Sequence, residues 1–387
     1  MIKRVPEIIL LIETSREFGR GLLAGIARYS RIYGPWRFYR YPPYYIYPHD
    51  EKKVFAWIKQ QQADGIIMRA SGNVEEILDL GIPTIVLDVN KEIENLLNIV
   101  TDEQNIGRMA AEYFIGRGFR EFAFCGFANM LWSKKRCESF CARLEQAGLR
   151  PFVYEQPKTR FKQSWKNETP ILADWLQRLP KPAALMACND DRGQDITEAC
   201  RAANLHIPEQ IAVLGVDNDT LVCDLTDPTL SSIAINTEKA GFEAAQLMTN
   251  LLEGKTISAK RIVVEPINIV TRRSTDITIV DDPDVAMALR FISEHDRDRI
   301  QIDDVAEAIS VSRRGLYKKF RRTLDRSIHD EITRVKIEQI KKMLRETNLS
   351  VSQIAFQLNY AGVEKLVRFF HRETGMTPLA YKKTLRP

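Results

Sequence analysis

The sequence predicts an α/β amino-terminal part built as two lobes, followed by an all-helical part with two helix-turn-helix motifs. Three observations lead there. As far as residue 271, short apolar runs alternate with amphipathic helical stretches, the pattern of parallel sheets wrapped by helices. After Pro283 only helical periodicity remains. Charge is also unequally shared: from Pro283 onward there are 21 Lys and Arg against 14 Asp and Glu, whereas the preceding 282 residues hold 35 against 37. Basicity confined to one part suits a chain in which only that part meets phosphates.

Taken in order, Glu7–Ile12 is a buried strand, and Gly21–Arg31 is a helix with Leu22, Leu23, Ile26 and Tyr29 on one face. Further strands are expected at Trp36–Tyr39, Gly65–Met68, Thr84–Asp88, Ile99–Thr101, Glu121–Cys125, Ala183–Ala187, Ile211–Val216 and Ser232–Ile235. Helices fall between them at Lys52–Gln62, Val74–Leu80, Asn105–Arg117, Lys134–Ala147, Thr169–Arg178, Arg192–Ala203 and Thr237–Leu252. That is too many strands for one small sheet, hence two lobes. In paired lobes, ligands gather in the crevice beyond the strand carboxyl ends. Glu13, Asp88, Asp102, Asn189 and Asp217 all end strands, which together suggest a polar cleft suited to a hydroxyl-rich ligand. The competing explanation is that Asp and Asn cap the helices that follow.

Thr271–Asp276 and Asp281-Asp282-Pro283 break the alternation, so the expected division is an α/β part at 1–276, a linker at 277–282 and a helical domain at 283–387. A composition of 44% hydrophobic and 28% charged residues without low-complexity tracts points to globular domains, and 387 residues ask for two or three. The first apolar stretch stops at Ile12, too short for a signal peptide, and no stretch approaches a membrane span; a cytoplasmic protein without a membrane partner is expected. Six cysteines show no C-x-x-C pair. Cys137 and Cys141 stand one helical turn apart but without a nearby His, so reduced thiols, no metal and no cofactor are expected.

In the helical part, Val305, Ala306 and Ile309 line one helix, and Leu316 and Phe320 line the next, with Ser312 placed to cap it. With Leu316 and Phe320 inward, Arg313, Arg314, Tyr317, Lys318 and Arg321 point away from the core. Arg near the start of such a helix can pair with guanine O6 and N7, while Lys mostly grips phosphate. No acid falls between Arg313 and Leu324, whereas a merely solvated face normally mixes signs. In the second unit Ile354, Ala355 and Leu358 pack on Leu366, Phe369 and Phe370, leaving Val363, Glu364, Val367 and Arg368 facing out. Val suits a thymine methyl, and Glu364 could accept from cytosine N4. A long helix with Ile332, Val335, Ile340 and Leu344 would hold the two readers apart, so double-stranded DNA read in two successive major grooves is the expected partner.

These residues carry a resemblance. Asp304-Val305-Ala306, Ser312-x3-Leu316-x3-Phe320, Leu349-Ser350-Val351-Ser352-Gln353-Ile354-Ala355, Phe369-Phe370-His371-Arg372-Glu373-Thr374-Gly375 and Met376-Thr377-Pro378-x2-Tyr381 resemble the AraC-type DNA-binding domain from about Pro283 to Lys383. Asn359 stands where the second turn usually has glycine, and Gly362 where a Ser cap is common. The amino-terminal part is similar to the sugar-sensing domain of LacI-type regulators, which share the periplasmic binding protein fold. Its matching stretches are Phe18–Ile26, Thr101-Asp102-x4-Gly107-x2-Ala110, Ala187–Asp190, Val213–Asn218 and Leu230–Ile233.

The resemblance implies a transcription regulator answering to a small sugar, a xylose-like pentose, as a homodimer that meets RNA polymerase if it activates. It implies that Asp217 and Asn189 bind sugar hydroxyls, that Arg136 approaches the ring or its oxygens, and that Asp102 and Asp88 stand on the cleft wall, where Glu13 joins them as a strand-ending candidate. Phe18 would stack on the sugar, with Arg16 and Glu17 nearby. Core packing competes for Phe18, and a surface ion pair for Arg136. Two rivals come from other classes. A phosphorylation-controlled response regulator needs a receiver of about 120 residues with an acidic pair after its first strand, whereas Glu13 stands alone. A sugar-acting enzyme with an appended DNA domain would need a catalytic motif, and no P-loop, G-x-S-x-G, H-E-x-x-H or glycine-rich phosphate cradle is present.

Overall fold

The computed structural model describes residues 4–40, 51–69, 74–87, 92–157, 165–257, 259–277, 280, 282–295, 300–324, 326–347 and 349–384. Asp88 lies outside these residues, as do Thr278, Ile279 and Asp281 of the expected linker. The chain divides into two compact units, Met1–Asp276 and Ile277–Pro387.

The first unit holds two six-stranded sheets. One lobe gathers β1 (Glu7–Leu11), β2 (Arg37–Arg40), β3 (Gly65–Arg69), β4 (Thr84–Leu87) and β5 (Leu97–Thr101). The other gathers β6 (Glu121–Cys125), β7 (Pro151–Val153), β8 (Ala183–Ala187), β9 (Ile211–Asp217) and β10 (Ser231–Ile235). β11 (Arg261–Val264) then returns to the first sheet and β12 (Pro266–Val270) to the second. The orders are β11-β5-β4-β3-β1-β2 and β12-β10-β9-β8-β6-β7, parallel throughout except for β10 with β12. Central strands such as β8 are buried along their whole length, as parallel strands covered on both faces must be.

Nine helices belong to this unit among its described residues: α1 (Glu17–Tyr33), α2 (Glu51–Gln61), α3 (Val74–Leu78), α4 (Glu103–Ile115), α5 (Leu131–Glu145), α6 (Trp165–Arg178), α7 (Asp190–Ala202), α8 (Thr220–Leu225) and α9 (Thr237–Leu252). α1 and α9 approach backbone to backbone. A Cβ on Gly25 would stand 2.0 Å from the Glu238 carbonyl oxygen, and one on Gly241 2.0 Å from that of Leu22. Only glycine permits that spacing.

The chain changes lobes at Thr101–Asp102, Ile235–Asn236 and Val264–Pro266, and these crossings are tied together. Asp102 N–H donates to the Val264 carbonyl (3.0 Å), and Asn236 N–H to that of Glu265 (2.9 Å). Three short crossings with shared hydrogen bonds thus connect the two lobes.

Some elements depart from expectation. α1 starts at Glu17, four residues before Gly21, while β7, β11, β12 and α8 have no counterpart in the expected pattern. β11 alternates exposed and buried over only four residues, too short a period to register. Thr271–Asp276 is no loose connection: Arg273–Thr275 forms a 3-10 turn with Ser274 and Thr275 fully buried.

The second unit is all helical: α10 (Pro283–Glu294), α11 (Ile302–Ala308), α12 (Arg313–Leu324), α13 (Ile328–Glu346), α14 (Val351–Gln357), α15 (Val363–Thr374) and α16 (Pro378–Thr384). It has two cores. Val305, Leu316, Phe320, Ile328 and Ile332 fill the first, and Ile340, Leu344, Ile354, Leu366 and Phe370 the second. α13 contributes its first half to one and its second half to the other, which fixes their separation along about 1.5 Å of helix per residue. Ser327 with Asp330 and Ser350 with Gln353 form reciprocal capping boxes that start α13 and α14.

Candidate ligand cleft and DNA interface

A cavity of about 370 Å³ opens between the lobes of the first unit, a size suited to a small organic ligand. Parallel strands set this position, since their carboxyl ends and the loops after them converge there. Of the expected residues, Glu13, Arg16, Phe18, Arg136, Asn189 and Asp217 line the cavity. Glu17 and Asp102 do not. Glu17 holds Arg20 at 3.0 Å, and Asp102 accepts from the Asn105 amide at 3.0 Å as the cap of α4. Asp102 thus caps α4 and does not border the cavity. Asn189 does both: its Oδ1 caps α7 through the Arg192 amide at 3.0 Å while the side chain borders the cavity.

Arg136 and Asp217 form the chemical centre. Arg136 is buried on α5, with Nε 2.5 Å from Glu103 and Nη1 donating to the Cys188 carbonyl at 2.5 Å. Its guanidinium lies 5.0 Å from the Trp132 ring centre. Burial works against its charge, but Glu103 and Asp217 outweigh that and raise its pKa. Asp217 ends β9 at φ 101°, a left-handed conformation costly for a residue with a Cβ. Its Oδ1 is buried without a hydrogen bond, 3.7 Å from Arg136 Nη2. Burial pushes this carboxyl up to about 7, with Arg136 pulling the other way. A carboxylate oxygen left unbonded beside a guanidinium that is close but not touching is a ready acceptor for a hydroxyl.

The lobes also touch at the cavity mouth. Arg16, before α1, pairs with Asp191 of α7 at 2.8 Å. The Glu17 amide and Arg20 Nη2 both donate to Asp219 Oδ2, at 2.7 and 3.0 Å. Glu103, Trp132, Lys135 and Asp191 line the cavity without having been foreseen. Trp132, Lys135 and Arg136 fall on one helical face by their spacing, a signal the sequence did carry. Glu103 reads as an ordinary acid in a first helical turn, and only its contact with Arg136 marks it.

In the second unit, Arg313, Arg314, Tyr317, Lys318 and Arg321 are exposed along α12, around the buried Leu316 and Phe320. Ser312 caps this helix through the Gly315 amide at 3.2 Å. Arg313 reaches back to Asp303 at 3.1 Å, an exposed pair of little net worth that a phosphate can replace. On α15, Glu364 and Arg368 are exposed, but Val363 and Val367 are half-buried, and Val363 leans on the second core. The expected outward valine pair is therefore only partly outward. Both turns contain a left-handed residue, Ser310 at φ 56° and Asn359 at φ 55°. Asn at such a position is tolerated, so the missing glycine leaves the turn intact.

The four cysteines 125, 188, 200 and 223 are buried, and Cys137 and Cys141 are half-buried with sulfurs 3.8 Å apart. Among the described residues no group of three or more His, Cys, Asp or Glu is placed to hold a metal, and no helix is long and apolar enough to cross a membrane.

Two lobes closing on a polar cavity, joined in one chain to paired helix-turn-helix units, define a class. The chain matches the periplasmic binding protein-like domain model over residues 111–275 and a helix-turn-helix domain model over 305–384. It is a transcription regulator that joins a periplasmic-binding-protein-like sensor to an AraC-type DNA-binding domain. Along its length the chain is similar to the xylose operon regulatory protein of Haemophilus influenzae, at 28% identity over 99% of both chains. It is similar also to the xylose operon regulatory protein of Escherichia coli K12, at 27% over 99% of this chain and 98% of that one. The solved structure of a xylose-binding transcription activator superposes with a TM-score of 0.72, at 25% identity over 99% of both chains.

Proposed function

We propose that the chain is a non-enzymatic, sugar-responsive regulator of a carbohydrate operon, whose effector is a xylose-like pentose held between the lobes. The observation that carries this is the Asp217 carboxyl in the cavity wall, whose buried Oδ1 has no hydrogen bond and lies 3.7 Å from Arg136. Sugar hydroxyls would donate to Asp217 and Asn189, Arg136 would donate to ring or hydroxyl oxygens, and Phe18 would cover C–H groups. The relatives support a pentose, since they are xylose operon regulatory proteins and a xylose-binding transcription activator. Arg16–Asp191 and the contacts on Asp219 would join only when the lobes close, so a ligand favouring closure shifts that equilibrium.

Double-stranded DNA is the partner of the second unit, gripped by Arg313, Arg314, Tyr317, Lys318 and Arg321 and read further by Glu364, Arg368 and the rims of Val363 and Val367. Residues 277–282 connect the units. We place the protein in the cytoplasm as a homodimer that meets RNA polymerase if it activates.

A thermal-shift panel of pentoses, hexoses and disaccharides on the intact chain tests the reading, with Asp217→Asn alongside. D-xylose should raise the melting temperature of the parent chain by mass action and that of Asp217→Asn far less. An equal response from both would sink the pocket assignment, and turnover of any sugar would revive an enzyme.

A further inference from the structure

Asp217 and its neighbour Asn218 are two successive non-glycine residues in left-handed conformation, at φ 101° and 51°. Such a pair persists only when held from outside. The Asn218 amide donates to Ser232 Oγ at 3.0 Å, and Asn218 Oδ1 accepts from Arg272 Nη1 at 3.0 Å. The same Arg272 nitrogen donates to the Leu230 carbonyl at 2.9 Å, and Nε pairs with Asp224 at 3.1 Å.

Arg272 begins the segment through which the sensor ends, and that segment is closely bonded. Its amide donates to Ser231 Oγ at 2.7 Å, and this hydroxyl donates back to the Arg272 carbonyl at 3.0 Å. Thr275 Oγ1 then donates to Ser231 Oγ at 2.7 Å, which leaves Tyr113 to donate to Thr275 at 2.6 Å and to accept from Thr271 at 2.9 Å. Ser274 Oγ bridges the Ser231 amide (2.8 Å) and the Val213 carbonyl (2.6 Å). Ser231, Ser274 and Thr275 are fully buried, so no water substitutes for these partners when one leaves.

We infer that Asn218 and Arg272 are positioning residues that link the cleft carboxylate to the conformation of Thr271–Asp276, the stretch leading into the DNA-binding unit. The link rests on the sugar reading of the cleft for its ligand, but not for its existence. A ligand that draws Asp217 towards Arg136 must turn the backbone it shares with Asn218. That turn either seats or withdraws the acceptor of Arg272, and Arg272 carries the first bonds of the exit segment. The element with two states is thus the left-handed pair itself, which both the ligand and the exit segment bias.

Hydrogen exchange on the full chain tests this, with Asn218→Gly removing the acceptor while favouring the left-handed backbone, and Arg272→Lys keeping a charge for Asp224 but losing the fork. In the parent chain, D-xylose should slow exchange across 271–276 by about tenfold. In Asn218→Gly that slowing should fall below about twofold while xylose affinity stays within about threefold. Full sugar-dependent protection retained in both variants overturns the link. If D-xylose does not bind the parent chain, the sugar reading fails, and the ligand-free samples decide. Exchange at 271–276 should then be at least about fivefold faster in both variants, with the amides of β3 unchanged. Equal exchange at 271–276, or faster exchange in β3 as well, overturns it.

Discussion

Arg136 stands 3.7 Å from Asp217 yet spends its short bonds on Glu103 and the Cys188 carbonyl, at 2.5 Å each. The carboxylate therefore has a neighbouring charge but no hydrogen bond, and its left-handed backbone keeps it aimed at the cavity. A site arranged in this way is less stable empty than it could be, and that tension generates the first prediction.

Asp217→Asn should have opposite effects on folding and binding. Neutralising a half-buried carboxylate whose Oδ1 has no hydrogen bond should raise the melting temperature of the ligand-free chain. Loss of a charged acceptor should weaken D-xylose binding by about 1.5–3 kcal/mol. Melting curves and calorimetry read the two separately, and a destabilised ligand-free variant would contradict the unbonded state of Oδ1.

Acidity should modulate both properties. Burial raises the Asp217 carboxyl from its ordinary 3.8 to about 7, so between these values the folded chain holds a proton that the unfolded chain has released. The contribution to stability is therefore full below the ordinary value and lost as pH rises through about 7. A sugar hydroxyl donates to the ionised form, so affinity should climb about tenfold from pH 6 to pH 8. Isothermal titration at several pH values, in two buffers of different ionisation heat, should show proton release at pH 6. A flat profile would rule out Asp217 as the acceptor.

Glu103→Gln should destabilise the fold. It leaves Arg136 buried beside a half-buried, partly protonated carboxyl, and breaking a buried pair from one side costs about 3–5 kcal/mol. Urea denaturation of the intact chain measures this. A loss below about 1 kcal/mol would mean that Arg136 finds water instead.

On the DNA side, Arg314→Ala and Lys318→Ala should fail differently. Arg314→Ala should cost about 1–3 kcal/mol on selected sites and little on random duplex, as a base-reading residue does. Lys318→Ala should weaken both alike and reduce the salt slope by about one. Titration of fluorescent duplexes at three salt concentrations separates them, and equal losses on both duplexes for Arg314→Ala would make it a phosphate contact.

Asn359→Gly should leave DNA selection unchanged and slightly stabilise the second unit, whereas Asn359→Val should destabilise it by about 1–2 kcal/mol, since a β-branched residue resists φ 55°. Differential scanning calorimetry resolves the sign.

Much of this protein is determined by periodicity and local chemistry. The central strands, the paired helices of the two helix-turn-helix units and the inward set Leu316, Phe320, Leu366 and Phe370 follow from apolar spacing, because burial repeats every two or every 3.6 residues and writes itself into the chain. β7, β11 and β12 escaped because they are short sheet-edge strands, half exposed, whose pairing partners are far away in sequence. Within the cleft, residue type alone could not separate Asp102 from Asp217. Both end strands, but the first has a helix amide within reach, whereas the helix after the second is capped by Asp219 instead. Such a choice depends on where the following residues travel. The tertiary structure alone decided it, and it alone joined Asp217 through Asn218 and Arg272 to the end of the sensor, since 54 residues separate that hydrogen-bonded pair in the sequence.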